Sequence, residues 1–242
     1  MPVAILILSF ALADEAADAL KQFEAAYKSK DAAARAQAVT ELAKTDHEKV
    51  IAKLEKLLVV DAKEVRLAAA ARLGIVRETA PHNKKEMAAL TKGIVPNYAE
   101  RSVLLAIVEA LEKFGEGVGL SILHQHFASP DIPVAKAAVE TAGDLRRKES
   151  IPALITFLKY LETTARDAAN VGPGGRTVTG GGLPGIGGAG GQAGDPDAPK
   201  RARALTPVVT KTLESLTRKT FKTTAEWEAW WKKEGDAFKV EK

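Results

Sequence analysis

The side chains best suited to chemistry near neutral pH are scarce in this chain of 242 residues. There is no cysteine, which excludes disulfides, iron–sulfur clusters, thiolate zinc sites and cysteine nucleophiles. The four histidines are His47, His82, His124 and His126. Because His124 and His126 are two positions apart, a helix would point them about 200° apart, so they could not share one metal ion. We therefore predict no metal site.

Sequence motifs for catalysis or cofactor binding are equally rare. There is no His-Glu-x-x-His, no Gly-x-Ser-x-Gly and no Asp-x-Asp-x-Asp calcium loop. Residues 185–190 match the dinucleotide-binding pattern G-x-G-x-x-G. That pattern needs a strand before it and a helix after it, whereas here glycine-rich sequence precedes it and Asp195-Pro196 follows. The sequence predicts no cofactor and no enzymatic activity.

Positive charge is the remaining lead, although the formal net charge is only +4. The sequence contains two basic groups. The first is Arg146, Arg147 and Lys148, and the second is Lys200, Arg201 and Arg203. One interpretation is a contact surface for phosphate or another anion, with the two groups side by side at the end of the fold. The other interpretation is solvated helix ends, and the modest net charge favours it.

All three tryptophans lie near the C-terminus on one predicted helix. Thr223 and Glu226 form a capping box that should begin this helix. Trp227, Trp230 and Trp231 follow at i, i+3 and i+4, so they share one face. An exposed aromatic patch is one interpretation. We favour a structural cap that buries the rings and closes the apolar end of the fold.

Helical patterns fill most of the chain between these groups. From Asp14 to about Arg166 the sequence is rich in Ala, Leu, Glu, Lys and Arg, which are good helix formers. Apolar residues recur at helical spacing near both ends of this region, at Val50, Ile51, Leu54, Leu57 and Leu58 and again at Ile151, Leu154, Ile155, Leu158 and Leu161. No stretch alternates with a period of two. The sequence predicts an all-α fold.

The helices also repeat one another. The same frame of apolar or small residues four apart recurs in four segments: Ala34, Ala38 and Leu42; Val65, Ala69 and Leu73; Val103, Ile107 and Leu111; and Val134, Ala138 and Ala142. Gly74 stands at the predicted C-cap of the second segment, and Gly143 occupies the corresponding position in the fourth. Small residues permit close helix packing, and a hairpin alone cannot bury its apolar face. We therefore expect the hairpins to stack into a solenoid.

At these residues the chain resembles a known family. Asp61, Val65 and Arg66, followed by Ala69, Ala70, Leu73 and Gly74, resemble the second helix of a HEAT repeat of the short bacterial kind. The Val-Arg pair is complete only in this repeat, because Val134 is followed by Ala135 and Arg101 is out of frame. The Trp-rich end also resembles secreted bacterial HEAT-repeat proteins. The resemblance implies a right-handed, armadillo-like α-solenoid of about five helical hairpins plus a C-terminal capping helix.

The predicted organisation has three parts. Residues 1–13 form a signal peptide, residues 14–217 the solenoid, and residues 218–242 the Trp-rich capping helix and tail. We divide the solenoid into five hairpins, at 15–44, 47–77, 84–115, 117–146 and 149–217. Residues 171–199 interrupt the last hairpin and hold twelve of the 19 glycines and four of the 11 prolines, a composition that predicts a disordered insertion.

The N-terminal segment bears on where the protein acts. Residues 2–13 contain one polar side chain, Ser9, and end in Ala11-Leu12-Ala13, a small-x-small cleavage pattern, although no Lys or Arg precedes them. Twelve residues are too few to cross a bilayer, so no integral membrane segment is predicted. Cleavage after Ala13 would place the protein outside the cytoplasm, in the periplasm or secreted. A buried first helix is the alternative and would imply the cytoplasm.

Three functions remain open. Our first hypothesis is a non-enzymatic scaffold that binds an unidentified protein or peptide on the solenoid surface, by analogy of fold. The second is a nucleic-acid-binding protein that uses the basic C-terminal end, because some HEAT-like proteins are DNA glycosylases. The third is an enzyme of the bilin-lyase branch of HEAT-like proteins, which is supported only by the resemblance of the repeats. Export would oppose the last two hypotheses, since such proteins work inside cells.

Overall fold

The computed structural model describes residues 16–42, 44–76, 82–170 and 197–241, and these ranges contain helices and no strand. The all-α prediction is therefore confirmed for the described chain. The α-helices are α1 (residues 16–26), α2 (Ala32–Leu42), α3 (Glu48–Val60), α4 (Lys63–Leu73), α5 (Asn83–Gly93), α6 (Arg101–Glu112), α7 (Val118–Gln125), α8 (Ile132–Asp144), α9 (Ser150–Asn170), α10 (Ala198–Thr217) and α11 (Thr224–Glu234). Short 3-10 helices, Val95–Asn97 and His126–Ala128, follow α5 and α7.

The chain divides into two compact units, residues 1–119 and 120–242. In the first unit α4 packs against both α2 and α6, and α3 packs against α5. Along the chain, α2, α4 and α6 thus pack one on the next, and so do α3 and α5. Apolar side chains at helical spacing, such as Val65, Ala69 and Leu73 of α4, are fully buried between these helices.

Glycine at the end of α4 allows a close approach to α6. A Cβ atom built on Gly74 would lie 2.7 Å from Cβ of Ala110, closer than two such atoms can come. Gly74 is the C-cap of α4 with φ −85°, so its lack of a side chain matters more than any left-handed conformation. Gly74 and Ala110 therefore permit the close packing of these two helices.

In the second unit α10 packs against α8 and α9, and α9 packs against α11. The side chain of Arg201, in the first turn of α10, reaches the carbonyl of Ser129 just before α8. Near the other end of both helices, a Cβ on Gly143 would lie 2.8 Å from Cγ2 of Thr212. These two contacts show that α8 and α10 run side by side in the same direction.

The observed helices fall in pairs within the five hairpin ranges expected from the sequence. Two boundaries differ, because α5 begins at Asn83, one residue before its predicted range, and α10 begins at Ala198, whereas the predicted insertion ended at Pro199. Proline is tolerated in the first turn of a helix, where its missing N–H needs no partner, so Pro199 starts this helix rather than preventing it. The predicted signal peptide at 1–13, and the predicted insertion from 171 to 196, lie outside the described residues.

Candidate functional site

One serine–histidine pair has the geometry of a nucleophile and its base. Nε2 of His124 lies 3.1 Å from Oγ of Ser150, within the range of such pairs in enzymes. Ser150 is fully buried as the first residue of α9, however, and a substrate from solvent cannot reach its hydroxyl. The pair therefore acts as a hydrogen bond that fixes the start of α9.

A cluster of charged residues joins the loop before α3 to α4 and α5. Arg72 and Glu86 are both buried, and Nη1 of Arg72 donates to Oε1 of Glu86 at 2.8 Å. Nη2 of Arg72 also donates to the carbonyl of Thr45 at 3.2 Å, while Asp46 lies 3.4 Å from Nδ1 of His82. No sequence pattern predicted this cluster. The sequence does contain one indication: Glu86 lies three positions before Ala89, on the apolar face of α5, and a glutamate on such a face needs a buried partner.

Two arginines 31 positions apart tie consecutive helix pairs together in the first unit. Nη2 of Arg35 donates to Oδ1 of Asp61 at 2.8 Å, and Nη1 of Arg66 donates to Oδ1 of Asn97 at 2.8 Å. Asn97 is buried and donates in turn to the carbonyls of Leu58 and Gly93. Each arginine lies in the first turn of its helix and reaches the turn inside the next pair. The same spacing of 31 residues separates Ala34 from Val65 in the sequence frame, so the two arginines occupy equivalent positions in that frame.

The predicted basic groups are far apart in the fold. Arg201 is buried and donates through Nη1 to the carbonyls of Ala128 and Ser129, before the start of α8. Arg146 and Lys148 follow the end of the same helix, whose 13 residues span about 20 Å. The expectation that the two groups lie side by side is therefore corrected, and Arg201 serves packing rather than an external ligand. Lys200 and Arg203 are exposed on α10, and Arg147 is exposed after α8.

Aromatic side chains form a cluster at the C-terminal helix. Trp227 and Trp230 are buried and Trp231 is half-buried, and the ring of Phe221 packs edge-on against Trp227 at 4.7 Å. Phe238, after α11, packs against Trp230 at 5.2 Å. The capping box of Thr223 and Glu226 is present and begins α11. The burial of two rings favours a structural role for the tryptophans, while closure of the solenoid's end stays a prediction.

An exposed apolar surface occurs in the first unit, where the sequence analysis predicted none. Val59 and Val60 end α3, and Val95 and Tyr98 flank the turn after α5. Val60 is 76% exposed and Val95 46%, whereas valines are usually buried. Because Asn97 donates to the carbonyl of Leu58, the two turns lie side by side. We name this surface the apolar edge, comprising Val59, Val60, Val95 and Tyr98.

Charged residues border the apolar edge. Oε1 of Glu100 accepts a hydrogen bond from Oγ of Ser102 and lies 3.4 Å from Nζ of Lys63. The hydrogen bond from Ser102, followed by the interaction with Lys63, lowers the pKa of Glu100 from its usual value. The carboxylate is therefore ionised at neutral pH, and the border carries both signs of charge.

No group of three or more potential metal ligands of the His, Asp or Glu type occurs within residues 16–42, 44–76, 82–170 and 197–241. Over the same part of the chain, no helix combines the length and apolar character needed to cross a membrane. Comparison with protein-family models, curated proteins and solved structures gives no significant match to this chain.

Proposed function

We propose that this protein is a non-enzymatic scaffold in which HEAT-like helical hairpins stack as a right-handed α-solenoid and bind a protein or peptide. The stacking is supported by the packing of α2, α4 and α6 on one another and of α3 on α5. It is supported further by the bonds of Arg35 and Arg66 to the next pair of helices. Repeat arrays of this kind present extended binding surfaces built from consecutive turns.

The observation that carries the binding role is the apolar edge. Three valines and a tyrosine from two consecutive turns are exposed together, although burying a valine side chain stabilises a protein by about 1.5–3 kcal/mol. Exposed apolar groups with a polar border are typical of protein-interaction sites. The partner segment would place apolar side chains against Val60 and Val95 and polar groups against Lys63 and Glu100.

The test is site-specific photo-crosslinking in extracts of the native host. A photoreactive amino acid at position 59 should capture a protein that mass spectrometry can identify. The same amino acid at the exposed position Lys21 of α1 should not capture this protein. The double variant Val60→Lys/Val95→Lys should lose this product, because two ammonium groups would be buried against apolar side chains of the partner.

The control variant is Ile75→Lys/Val76→Lys, which charges two apolar side chains that are each 41% exposed beyond the other end of α4. This variant should retain the crosslink. Capture of the same protein by wild type and by the Val60/Val95 variant would contradict the proposed surface, and so would equal loss in both variants.

A further inference from the structure

Positive charge is concentrated in two short loops of the second unit. Residues 145–149, after α8, contain Arg146, Arg147 and Lys148 with one acid, Glu149. Residues 218–223, after α10, contain Arg218, Lys219 and Lys222 with none. Together the loops carry a net charge of +5, whereas the whole chain carries +4. The rest of the chain is therefore slightly acidic, and these loops account for its basic character.

The packing of α8 and α10 brings the two loops to one edge. The helices run in the same direction and touch at Gly143 and Thr212, a few residues before their ends. Arg146 and Arg218 follow those ends, and both adopt the left-handed conformation, with φ of 49° and 57°. We name this surface the basic edge, comprising Arg146, Arg147, Lys148, Arg218, Lys219 and Lys222.

Among the described residues, the side-chain hydrogen bonds of the basic edge go to main-chain carbonyls, and the nearest bonded carboxylate is that of Glu226, which accepts from the main-chain N–H groups of Lys222 and Thr223. Nε of Arg146 donates to the carbonyl of Glu241 at 2.7 Å, and Nζ of Lys148 donates to the carbonyl of Asp236 at 2.8 Å. Both acceptors are uncharged main-chain oxygens. Across the described residues, no ion pair involves any member of the basic edge. The C-terminal tail thus orients two cations and leaves their charge available.

Helix dipoles do not explain this concentration of charge. Cations are stabilised at the C-terminus of a helix and destabilised at the N-terminus of the next. The loop after α8 also leads into α9, so Arg147 and Lys148 lie just before a positive helix end. Lys222 likewise immediately precedes Thr223, the N-cap of α11. Arg147 and Lys148 lie between the negative end of α8 and the positive end of α9, where the two dipoles oppose each other, and Lys222 lies where the dipole of α11 disfavours a cation.

We propose that the basic edge binds the phosphodiester backbone of a nucleic acid, without reading its sequence. A duplex carries one negative charge per ~1.7 Å, a density that suits six cations in two short loops. Three of the six are arginines, whose planar guanidinium groups match phosphate oxygens. None of the large exposed apolar side chains found in the described chain belongs to residues 120–241, which disfavours insertion into a membrane. This activity is separate from the proposed protein binding at the apolar edge.

The experiment measures binding of the full chain to a fluorescent 25-base-pair DNA duplex by anisotropy, from 50 to 200 mM KCl. If all six cations contact phosphates, the slope of log K against log salt is about −5, and affinity falls roughly a thousandfold over this range. The variant Arg147→Gln/Lys219→Gln/Lys222→Gln changes only exposed side chains outside the tail contacts. Its slope should be about −2.7, with affinity at 50 mM reduced at least tenfold.

The matched control is Lys49→Gln/Lys56→Gln/Lys84→Gln, which removes the same charge from exposed positions of the first unit. Its slope and affinity should stay within twofold of wild type. A second variant, Arg146→Gly/Arg218→Gly, removes two cations where glycine suits the backbone, and it should lower the slope by about 1.8.

Three results would overturn the proposal. The first is no duplex binding by wild type at 50 mM KCl with protein at about 100 μM, the weak end of the range for non-specific binding. The second is an equal loss of affinity in the basic-edge variant and the control. The third is tighter binding to phosphatidylglycerol vesicles or to poly-glutamate than to the duplex, abolished by the same variant, which would assign the edge to a membrane or to an acidic protein.

Discussion

The buried pair of Arg72 and Glu86 makes a prediction that a surface ion pair would not. Replacing either residue removes the buried opposite charge at 2.8 Å from the other, so Arg72→Met and Glu86→Leu should each lower the free energy of unfolding by about 3–5 kcal/mol. The double variant should lose far less than the sum, since two apolar side chains of similar volume can pack together. Urea unfolding of all four proteins measures this coupling. Additive losses would show that the two charges do not stabilise each other.

His126 predicts how stability depends on pH. Burial lowers the pKa of His126 below its usual 6.5 in the folded protein, because it disfavours the charged imidazolium. The unfolded chain then binds a proton more readily than the folded chain. The contribution of His126 to stability is therefore complete above pH 6.5 and is lost as the pH falls toward the folded pKa.

The corresponding experiment compares wild type with His126→Gln in urea at pH 7.5 and at pH 5.5. Wild type should lose more of its free energy of unfolding on acidification than the variant does, because glutamine does not titrate. The same pH dependence in both proteins would show that His126 is protonated equally well in the folded and unfolded states.

Contacts between residues close in sequence were predicted, and contacts between distant residues were not. The capping box of Thr223 and Glu226 involves residues three apart, and it was predicted and is present. Arg201 was predicted to be an exposed cation, and it is buried because its partners are carbonyls 72 and 73 positions earlier in the chain. No helical or strand period encodes a contact over that distance. Asn97 was missed for the same reason, since Arg66 and Leu58 lie 31 and 39 positions away.

The close approach of α4 and α6 can be tested by filling the space at Gly74. In Gly74→Ala the new methyl group would overlap Ala110, and the variant should be less stable by about 1–3 kcal/mol. Ala110→Gly should cost about 1 kcal/mol through helix propensity, and the loss of its buried methyl group adds to this cost. The double variant should be more stable than the sum of the two losses predicts, because loss of the methyl group at position 110 leaves room for the one added at position 74.

Chemical unfolding of these variants gives the comparison, with Ala71→Gly as the control. Ala71 is exposed on α4, so this substitution reports the cost of a glycine in a helix without any change in packing. If Gly74→Ala leaves the midpoint of unfolding unchanged, close approach is not the reason for glycine at this position.

Helix boundaries were predicted better than helix contacts, and the reason is physical. Apolar spacing of three and four residues depends only on which face is buried, so Val103, Ile107 and Leu111 located α6 without knowledge of its neighbours. Proline was the weaker signal. Pro199, at which the predicted insertion ended, lies in the first turn of α10, and Pro207 lies inside the same helix. The apolar edge was not predicted, because Val59 and Val60 directly follow Leu57 and Leu58, which are buried, and the sequence does not distinguish the exposed pair from the buried one.

The net charge of the whole molecule does not describe how its charge is distributed. A net charge of +4 spread over 242 residues argues against a polyanion ligand, and that argument led the sequence analysis to favour solvated helix ends. In the fold the relevant quantity is local, because charges separated by more than about 10 Å are screened at 0.1 M salt. Arg147 and Lys219 are 72 positions apart, and only the packing of α8 on α10 assigns them to one edge.

The N-terminal segment makes the last prediction, which concerns the protein as a whole. If residues 1–13 are a signal peptide, the chain from Asp14 onward is the mature protein and contains what the fold needs. Within the described residues, Ala16 and Phe23 are buried, so α1 is part of the core of the first unit. A chain that starts at Asp14 should therefore unfold at the same temperature as the full chain. Phe23→Ala in the same background should lower stability by about 3–5 kcal/mol, which shows that the assay senses α1.

Mass determination of the protein purified from fractions of its native host completes this test. A mature start at Asp14 in an extracytoplasmic fraction would establish export and make envelope proteins the first candidates for the apolar edge. An intact Met1 in the cytoplasm, together with a lower unfolding temperature for the shortened chain, would show that residues 2–13 are a structural element. The basic edge would then lie in the compartment where nucleic acids are abundant. The salt titration of duplex binding would in that case be the next measurement.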